Sequence, residues 1–327
     1  MNNGLKIDFV VTWVNGNDLE WQRKKNFYQR QESPTIAIND SQRYRQMGSL
    51  ENWVDRVLKY APWVNKVFIV TDNQDLGFEL PNSKFVKVNH SDFIDKKYLP
   101  VFNSNSIEMN IDLIEDLSEH FVLFNDDVYL TAPVTKSDFF DDNGTPVEVG
   151  YMTILHASEL FQHTTLNNLV YINKKFNKKQ ILKSNASKYI NPIYGTKNLH
   201  SVFSLPWSDI LGWHDEHITS SYKKSTFKEV YECFPELRES QSGNKFRTYS
   251  DVSHVLMKYW QIAKGDFIPR KPDSFGRYVW VSEGPQTEIE AALTGKWKVV
   301  CINDDEMNDN AAEKAEKSLI KLLKKTI

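Results

Sequence analysis

The chain has 327 residues, 40% hydrophobic and 25% charged, with a formal net charge of −3 at pH 7. That balance supplies apolar material for one large core and argues against a disordered tail and a nucleic-acid footprint. Two cysteines, Cys233 and Cys301, outside any Cys-x-x-Cys pair, argue against a disulfide framework and a structural zinc, and for a reducing, cytoplasmic compartment.

The first apolar run is short, contains Asp8 and lacks a cleavage site, so it does not read as an export signal. No run reaches the roughly 20 apolar residues that span a bilayer. Runs rich in Val, Ile and Phe alternate with segments of helical period, which predicts an α/β fold with a mostly parallel sheet flanked by helices. A strand is expected over 7–14, closed by Asn15-Gly16, then a helix with Asp18 as its N-cap. The next helix, 49–63, carries an apolar stripe through Leu50, Trp53, Val54, Val57, Leu58 and Ala61 and stops at Pro62. Strands follow over 66–72 and 84–88, a helix over 104–117, and a strand from 120. Residues 132–150 read as a loop-rich excursion, and 151–205 lack a clean period. An inserted, loop-rich and helical lobe of about 132–245 is therefore expected within a domain spanning 1–310. A helix is predicted over 251–265 and a last strand over 296–302.

Residues 311–327 form an amphipathic basic helix, with Leu319 and Leu323 on one side and Lys317, Lys321, Lys324 and Lys325 around it. It either packs on its own domain, as any surface helix does, or lies on a membrane surface or an assembly partner.

The chemistry is concentrated at two strand ends. "HFVLFNDDVYL" runs from four apolar residues into Asn125, Asp126 and Asp127, and "VVCI" runs into Asn303, Asp304 and Asp305. Ligands bind beyond the carboxyl ends of strands in open α/β sheets, and oxygen donors of this kind suit Mg²⁺ or Mn²⁺ beside a phosphate. The competing reading is that Asp and Asn cap helices and make turns after strands everywhere. Asp8 inside an apolar strand reaches a ligand or faces out at an edge; Glu108 lies on a solvated helix face or in the site. His214 and His217 suit acid–base roles better than zinc. Arg43, Arg45, Arg56 and Arg247 could clamp phosphate, although surface ion pairs are the commoner fate of arginine.

With these residues assembled, the sequence resembles the Stealth family of hexose-1-phosphate transferases. Four blocks carry the resemblance: "IDFVVTWVNGND"; "RYRQMGSLENWVDRVLKYAPWVNKVFIVTDN" through "VNHSDFI" and "LPVFNSNSIEMNI" to "LSEHFVLFNDDVYL"; "HITSSYKKSTFKEVYE" with "NKFRTYSDVSHVLMKYWQIAKG"; and "VVCINDD". The resemblance implies a Rossmann-like core, a divalent cation, a nucleotide-sugar donor such as a UDP-hexosamine, and a glycan or lipid-linked glycan acceptor. Asp8, Trp13, Asn15, Gly16, Arg45, Arg56, His90, Lys224, Asn125 and Asn303 match positions expected to bind substrate. Asp126, Asp127 and Asp304 match the metal positions, and His217, Glu108, Asp127 and Arg247 the catalytic ones. Thr219 and Ser221 stand where the family often has prolines, which loosens the choice of His217 over His214. The expected reaction transfers sugar 1-phosphate in surface polysaccharide synthesis, at the inner face of the membrane. The open alternatives are a metal-dependent glycosyltransferase releasing nucleoside diphosphate and a non-catalytic glycan-binding protein.

Overall fold

The apolar runs of the sequence become buried strands. The computed structural model describes residues 4–31, 44, 48–157, 162–281, 286–303, 307 and 309–327. Its strands are β1 (Ile7–Thr12), β2 (Val67–Thr71), β3 (Phe85–Asn89), β4 (His120–Asn125), β5 (Val128–Leu130), β6 (Val147–Glu148), β7 (Ser220–Lys223), β8 (Ile268–Pro269), β9 (Gly276–Trp280) and β10 (Val299–Asn303). The main sheet has the order β3-β2-β1-β4-β7; β5-β10-β9 form a second sheet and β6-β8 a third. In the main sheet β3, β2, β1 and β4 run parallel, and β7 closes the edge antiparallel to β4.

Both faces of the main sheet are covered, which is why its strands read as unbroken apolar runs. Phe9, Val11, Ile69 and Phe124 face one core with Trp53 and Val57 of the helix Leu50–Tyr60. Val10, Phe68, Phe121 and Leu123 face the other with Tyr222 and Trp260. Asp18 caps the helix Leu19–Gln31 as expected, its Oδ1 accepting from the amides of Glu20 and Trp21.

Three expectations are corrected. The helix over 104–117 is only Ser104–Glu108 followed by the short turn Ile111–Leu113, because the polar side chains of this segment bond across to residues 241–251. The stretch 151–205, without a clean period, contains the helices His163–Lys175, Lys178–Tyr189 and Asn198–Ser204. Within the expected lobe, β7 belongs to the main sheet, and the helix Lys224–Cys233 after it buries Phe227 and Val230 in the same core.

The C-terminal helix Asp309–Lys325 packs on its own domain, burying Ala312, Leu319, Leu322 and Leu323. Arg56, expected at a phosphate, fastens it instead. The guanidinium is fully buried and donates to the carbonyls of Leu130 (3.0 Å) and Leu323 (2.9 Å) and to Thr326 Oγ1 (2.6 Å). Among the described residues no helix is long and apolar enough to cross a membrane.

Candidate active site

The end of the last strand meets the acidic turn after β4. β10 runs antiparallel to β5 with Cys301 opposite Val128, and the Ile302 amide donates to the Asp127 carbonyl (2.9 Å). The end of β10, Asn303, is thereby drawn against the Asp126–Asp127 turn that leaves β4. Asp304 and Asp305 lie outside the described residues. Asn125 is paired with Thr12 at the carboxyl end of β1, so the turn stands over the carboxyl edge of the parallel strands.

Asp127 is poorly satisfied for a carboxylate so enclosed. Its Oδ1 has no hydrogen-bond partner, and Oδ2 receives the Cys301 thiol at 3.5 Å, with the residue's own backbone amide the further donor to the carboxylate. Burial pushes its carboxyl up, with the charge of His217 pulling the other way. Burial, and then repulsion by Asp127, pushes Asp126 up to about 7. Two crowded carboxylates with an orphaned oxygen are costly to keep charged unless a proton or a cation neutralises them. Hard oxygen donors on one turn fit Mg²⁺ or Mn²⁺. Among the described residues no group of three or more His, Cys, Asp or Glu is arranged around a common metal position.

The facing wall is built from residues far apart in sequence. Glu108 is buried, its carboxyl pushed up to about 8 by burial against the opposing pull of Arg247, and the Thr12 hydroxyl donates to it. Its Oε2 lies 3.5 Å from His254 Nε2. Burial first, then the charge of Lys258, drives the His254 imidazole down to about 3. Both partners are therefore neutral at pH 7. Tyr222 Oη lies 3.0 Å from the His254 carbonyl, to which it can only donate, and 2.7 Å from Nδ1. With its one proton on the carbonyl, Tyr222 accepts from Nδ1–H, leaving the Nε2 lone pair facing protonated Glu108. This arrangement keeps Glu108 uncharged, with its proton toward His254.

His217 reaches the cleft because β7 begins beside the end of β4. Its ring stacks edge-on to Tyr278 at 5.5 Å, and its backbone adopts the left-handed region (φ 50°) that non-glycine residues seldom occupy without a local reason. The amide of His217 donates to Asp215 Oδ1 (3.2 Å), which also takes Lys258 Nζ at 3.0 Å. Burial alone would raise Asp215, but Lys258 and His217 hold it well below the usual carboxylate range. Burial likewise pulls Lys258 down, and Asp215 and Glu148 outweigh it. His214 stacks on Tyr151 at 4.9 Å, whereas it is the charge of His217 that acts on Asp127.

Arg247 arrives on a loop organised by Asp251, which is fully buried. Asp251 accepts from Asn103, Asn105, Gln241, Asn244 and Thr248, tying that loop to the turn before Glu108. Arg247 itself donates to Ser104 Oγ (2.8 Å).

Other expected residues fall into three groups. Trp13, Asn15 and Gly16 follow β1 at the same sheet edge as Asn125; Gln74 grips the Asn15 backbone through both its amide and its carbonyl (2.9 Å each). His90 begins the turn after β3, two strands away, with its imidazole forced down to about 3 by burial and then by Lys24. Asp8 and Lys224 are not at this edge. Asp8 sits where β1 begins and accepts from Asn65 Nδ2 (2.7 Å), the Lys66 amide (2.9 Å) and the Ser118 amide (2.7 Å), which satisfies it as a structural residue. Lys224 follows β7 at the opposite end of the sheet, in a cavity of about 540 Å³ with Asp112, Glu119 and Arg238. Arg43 and Arg45 lie outside the described residues.

Sequence reasoning missed His254, Lys258, Asp215 and Tyr222. The available signal was the i, i+4 spacing of two polar residues, His254 and Lys258, inside the apolar stripe of the helix Val255–Lys264 and its N-cap.

The chain matches the family model described as Stealth protein CR1, conserved region 1, over residues 5–33, and Stealth protein CR2, conserved region 2, over residues 43–148. It is 41% identical over 315 residues to the capsular polysaccharide phosphotransferase WcwK of Streptococcus pneumoniae, covering 96% of this chain and 93% of the relative. It is 38% identical to the exopolysaccharide phosphotransferase cps2G of Lactiplantibacillus plantarum, covering 92% and 88%. The receptor polysaccharide phosphotransferase WefC of Streptococcus gordonii is also 38% identical, with 91% and 90% covered. A solved structure of mouse xyloside xylosyltransferase 1 aligns over 94% of this chain and 99% of its own at a TM-score of 0.35 and 9% identity, too distant to bear on the chemistry.

Proposed function

The chain belongs to the Stealth family, and from that premise we propose that it is a phosphotransferase that moves a sugar 1-phosphate from a nucleotide-diphosphate sugar to a hydroxyl of a lipid-linked glycan in surface polysaccharide synthesis. The observation that carries this reading is the cleft itself: an unsatisfied acidic turn on one wall, with His217 and Glu108 within electrostatic reach of it and Arg247 within reach of Glu108.

In the proposed reaction the acceptor hydroxyl attacks the phosphorus nearer the sugar. The bond from that phosphorus to the bridging oxygen breaks, nucleoside monophosphate leaves, and the anomeric carbon keeps its configuration. Such transfers depend mainly on positioning and on neutralising charge over the phosphate oxygens. His217, solvent-accessible on its left-handed turn, takes the hydroxyl proton, a task suited to an imidazole near neutral pH. Asp215, fixed by Lys258, sets the His217 backbone. Glu108, kept neutral with its proton toward His254, lines the departing phosphate without repelling it, and Arg247 holds the anion. Asp126 and Asp127, with Asp304, would hold Mg²⁺ or Mn²⁺, which when bound neutralises pyrophosphate charge. Trp13, Asn15 and Gly16 line the donor side with Asn125 and Asn303. The two unpaired cysteines support a cytoplasmic setting.

The test is the identity of the released nucleotide. Purified protein incubated with a panel of nucleotide sugars, Mg²⁺ and an acceptor glycan is expected to release nucleoside monophosphate and to leave phosphate on the acceptor. Release of nucleoside diphosphate would assign the chemistry to glycosyl transfer instead.

A further inference from the structure

The helix Asn198–Ser204 is built inside out. Its buried face is made of serines: Ser201 Oγ donates to the Tyr189 carbonyl (2.8 Å) and accepts from the Met152 amide (2.8 Å), and Ser204 Oγ donates to the Ser201 carbonyl (2.7 Å). Its outer face is Leu199, Val202 and Phe203, continued by Leu205 and Trp207; Phe203 is 64% exposed and Trp207 51%. Six of the fifteen exposed large hydrophobic residues among those described fall between Ile193 and Trp207, so these exposures form a patch rather than a scatter. A patch of that kind marks an interaction surface.

Charge decides what the surface meets. From Phe161 to Ser208 the sequence contains seven lysines and no Asp or Glu, in a chain whose net charge is −3. Lys174, Lys175, Lys179 and Lys183 are exposed. The fold ties the helices that carry them to the segment that carries the patch: Asn173 clasps the Ile210 backbone through both its amide (2.9 Å) and its carbonyl (2.8 Å), and the buried Lys178 Nζ donates to the carbonyls of Ser204 and Trp207. Lysine is depleted from the cores of protein interfaces, and a second copy of this chain would set like charges against each other. Exposed Trp, Phe and Leu with a lysine-rich helix pair to one side, and Asp209 two residues beyond Trp207, suit the headgroup layer of an anionic bilayer, where aromatic rings and ammonium groups are both at home.

We propose that Leu199, Val202, Phe203, Leu205 and Trp207, with the lysines of 174–183, dock this protein on an anionic lipid membrane. The C-terminal helix has its apolar face buried in its own domain and does not do this. The patch is also coupled to the cleft: Met152, which bonds Ser201, bridges to Trp213, two residues before Asp215. Docking therefore holds the cleft near the membrane plane. Only the consequence that a lipid-linked acceptor is met there rests on the proposed function.

The experiment is co-sedimentation of the full chain with vesicles of phosphatidylcholine alone or mixed with phosphatidylglycerol. The mixed vesicles should bind the protein at least about tenfold more tightly, with the excess removed by high salt. Phe203→Glu with Trp207→Glu, and separately Lys174→Glu with Lys175→Glu, should each lower that binding about tenfold. Both should keep wild-type melting temperatures and nucleotide release with a soluble acceptor, whatever nucleotide that proves to be. Lys321→Glu with Lys324→Glu on the C-terminal helix should change binding less than about twofold. The proposal is overturned if wild type ignores the mixed vesicles or if the Phe203/Trp207 variant binds them equally. A concentration-dependent dimer that this variant abolishes would overturn it too, by making the face a protein interface.

Discussion

Two aspartates in the central sheet have opposite circumstances. Asp8, where β1 begins, receives three hydrogen bonds from side-chain and backbone donors, and its charge is satisfied by the fold. Asp127, beyond the end of β4, keeps one enclosed oxygen without any donor and stands beside a second carboxylate. An acid inside an apolar run is therefore not in itself a functional sign. The informative quantity is the number of donors the fold supplies, because a carboxylate that lacks them is held at a cost and needs something else to bind.

Substitution should separate the two. Asp127→Asn removes a charge from a crowded turn and should lower nucleotide release by about a thousandfold, or about 4 kcal/mol of transition-state stabilisation. The melting temperature should stay level or rise, since Asp126 loses its repelling neighbour. A variant that melts lower and still turns over would make Asp127 structural. Asp8→Ala should do the reverse: three orphaned donors cost about 3 kcal/mol in urea unfolding, while turnover per folded molecule changes less than about twofold.

Glu108 adds a pH test of the same contrast. Below about pH 4.5 its carboxyl is protonated in both folded and unfolded chains. Between there and about 8 only the folded protein keeps the proton. Its contribution is thus complete in acid and is lost as the pH rises through about 8. In unfolding without added divalent ion, the stability difference between wild type and Glu108→Gln should shift against wild type by about 2 kcal/mol from pH 5 to pH 8, while the buried imidazoles of His90 and His254 tilt both proteins the other way below about 6.5. Asp126, raised to about 7, adds a smaller slope of the same sign. The smallest effect is expected at the other end of the sheet, where Lys224→Ala should leave the KM for donor within about twofold of wild type.

Much of this was legible in the sequence. The Asn-Asp-Asp repeat after two apolar strands pointed to two tips sharing one site; β10 against β5 brings the end of β10 to the Asp127 carbonyl, and Asp304 and Asp305 lie outside the described residues. Strands buried on both faces are long apolar runs whatever their neighbours, so β1, β2 and β4 were readable. What failed was reasoning from period where polar residues point inward. The helix Asn198–Ser204 buries serines and exposes Leu and Phe, which cancels the pattern that locates a helix. His254 and Lys258 sit among apolar residues, and only the fold shows that they face Glu108 and Asp215. Arg56 looked like a phosphate clamp because a buried guanidinium bonded to carbonyls has no sequence signature. Asp8 was ambiguous for the same reason, since its donors come from positions 65, 66 and 118.

The most direct test of the unsatisfied acidic turn is Mn²⁺ binding, followed by electron paramagnetic resonance at pH 7 in wild type, Asp127→Asn and Asp8→Asn. Wild type and Asp8→Asn should bind the ion alike, and Asp127→Asn should bind it at least about tenfold more weakly. Equal binding by Asp127→Asn and wild type would contradict the account.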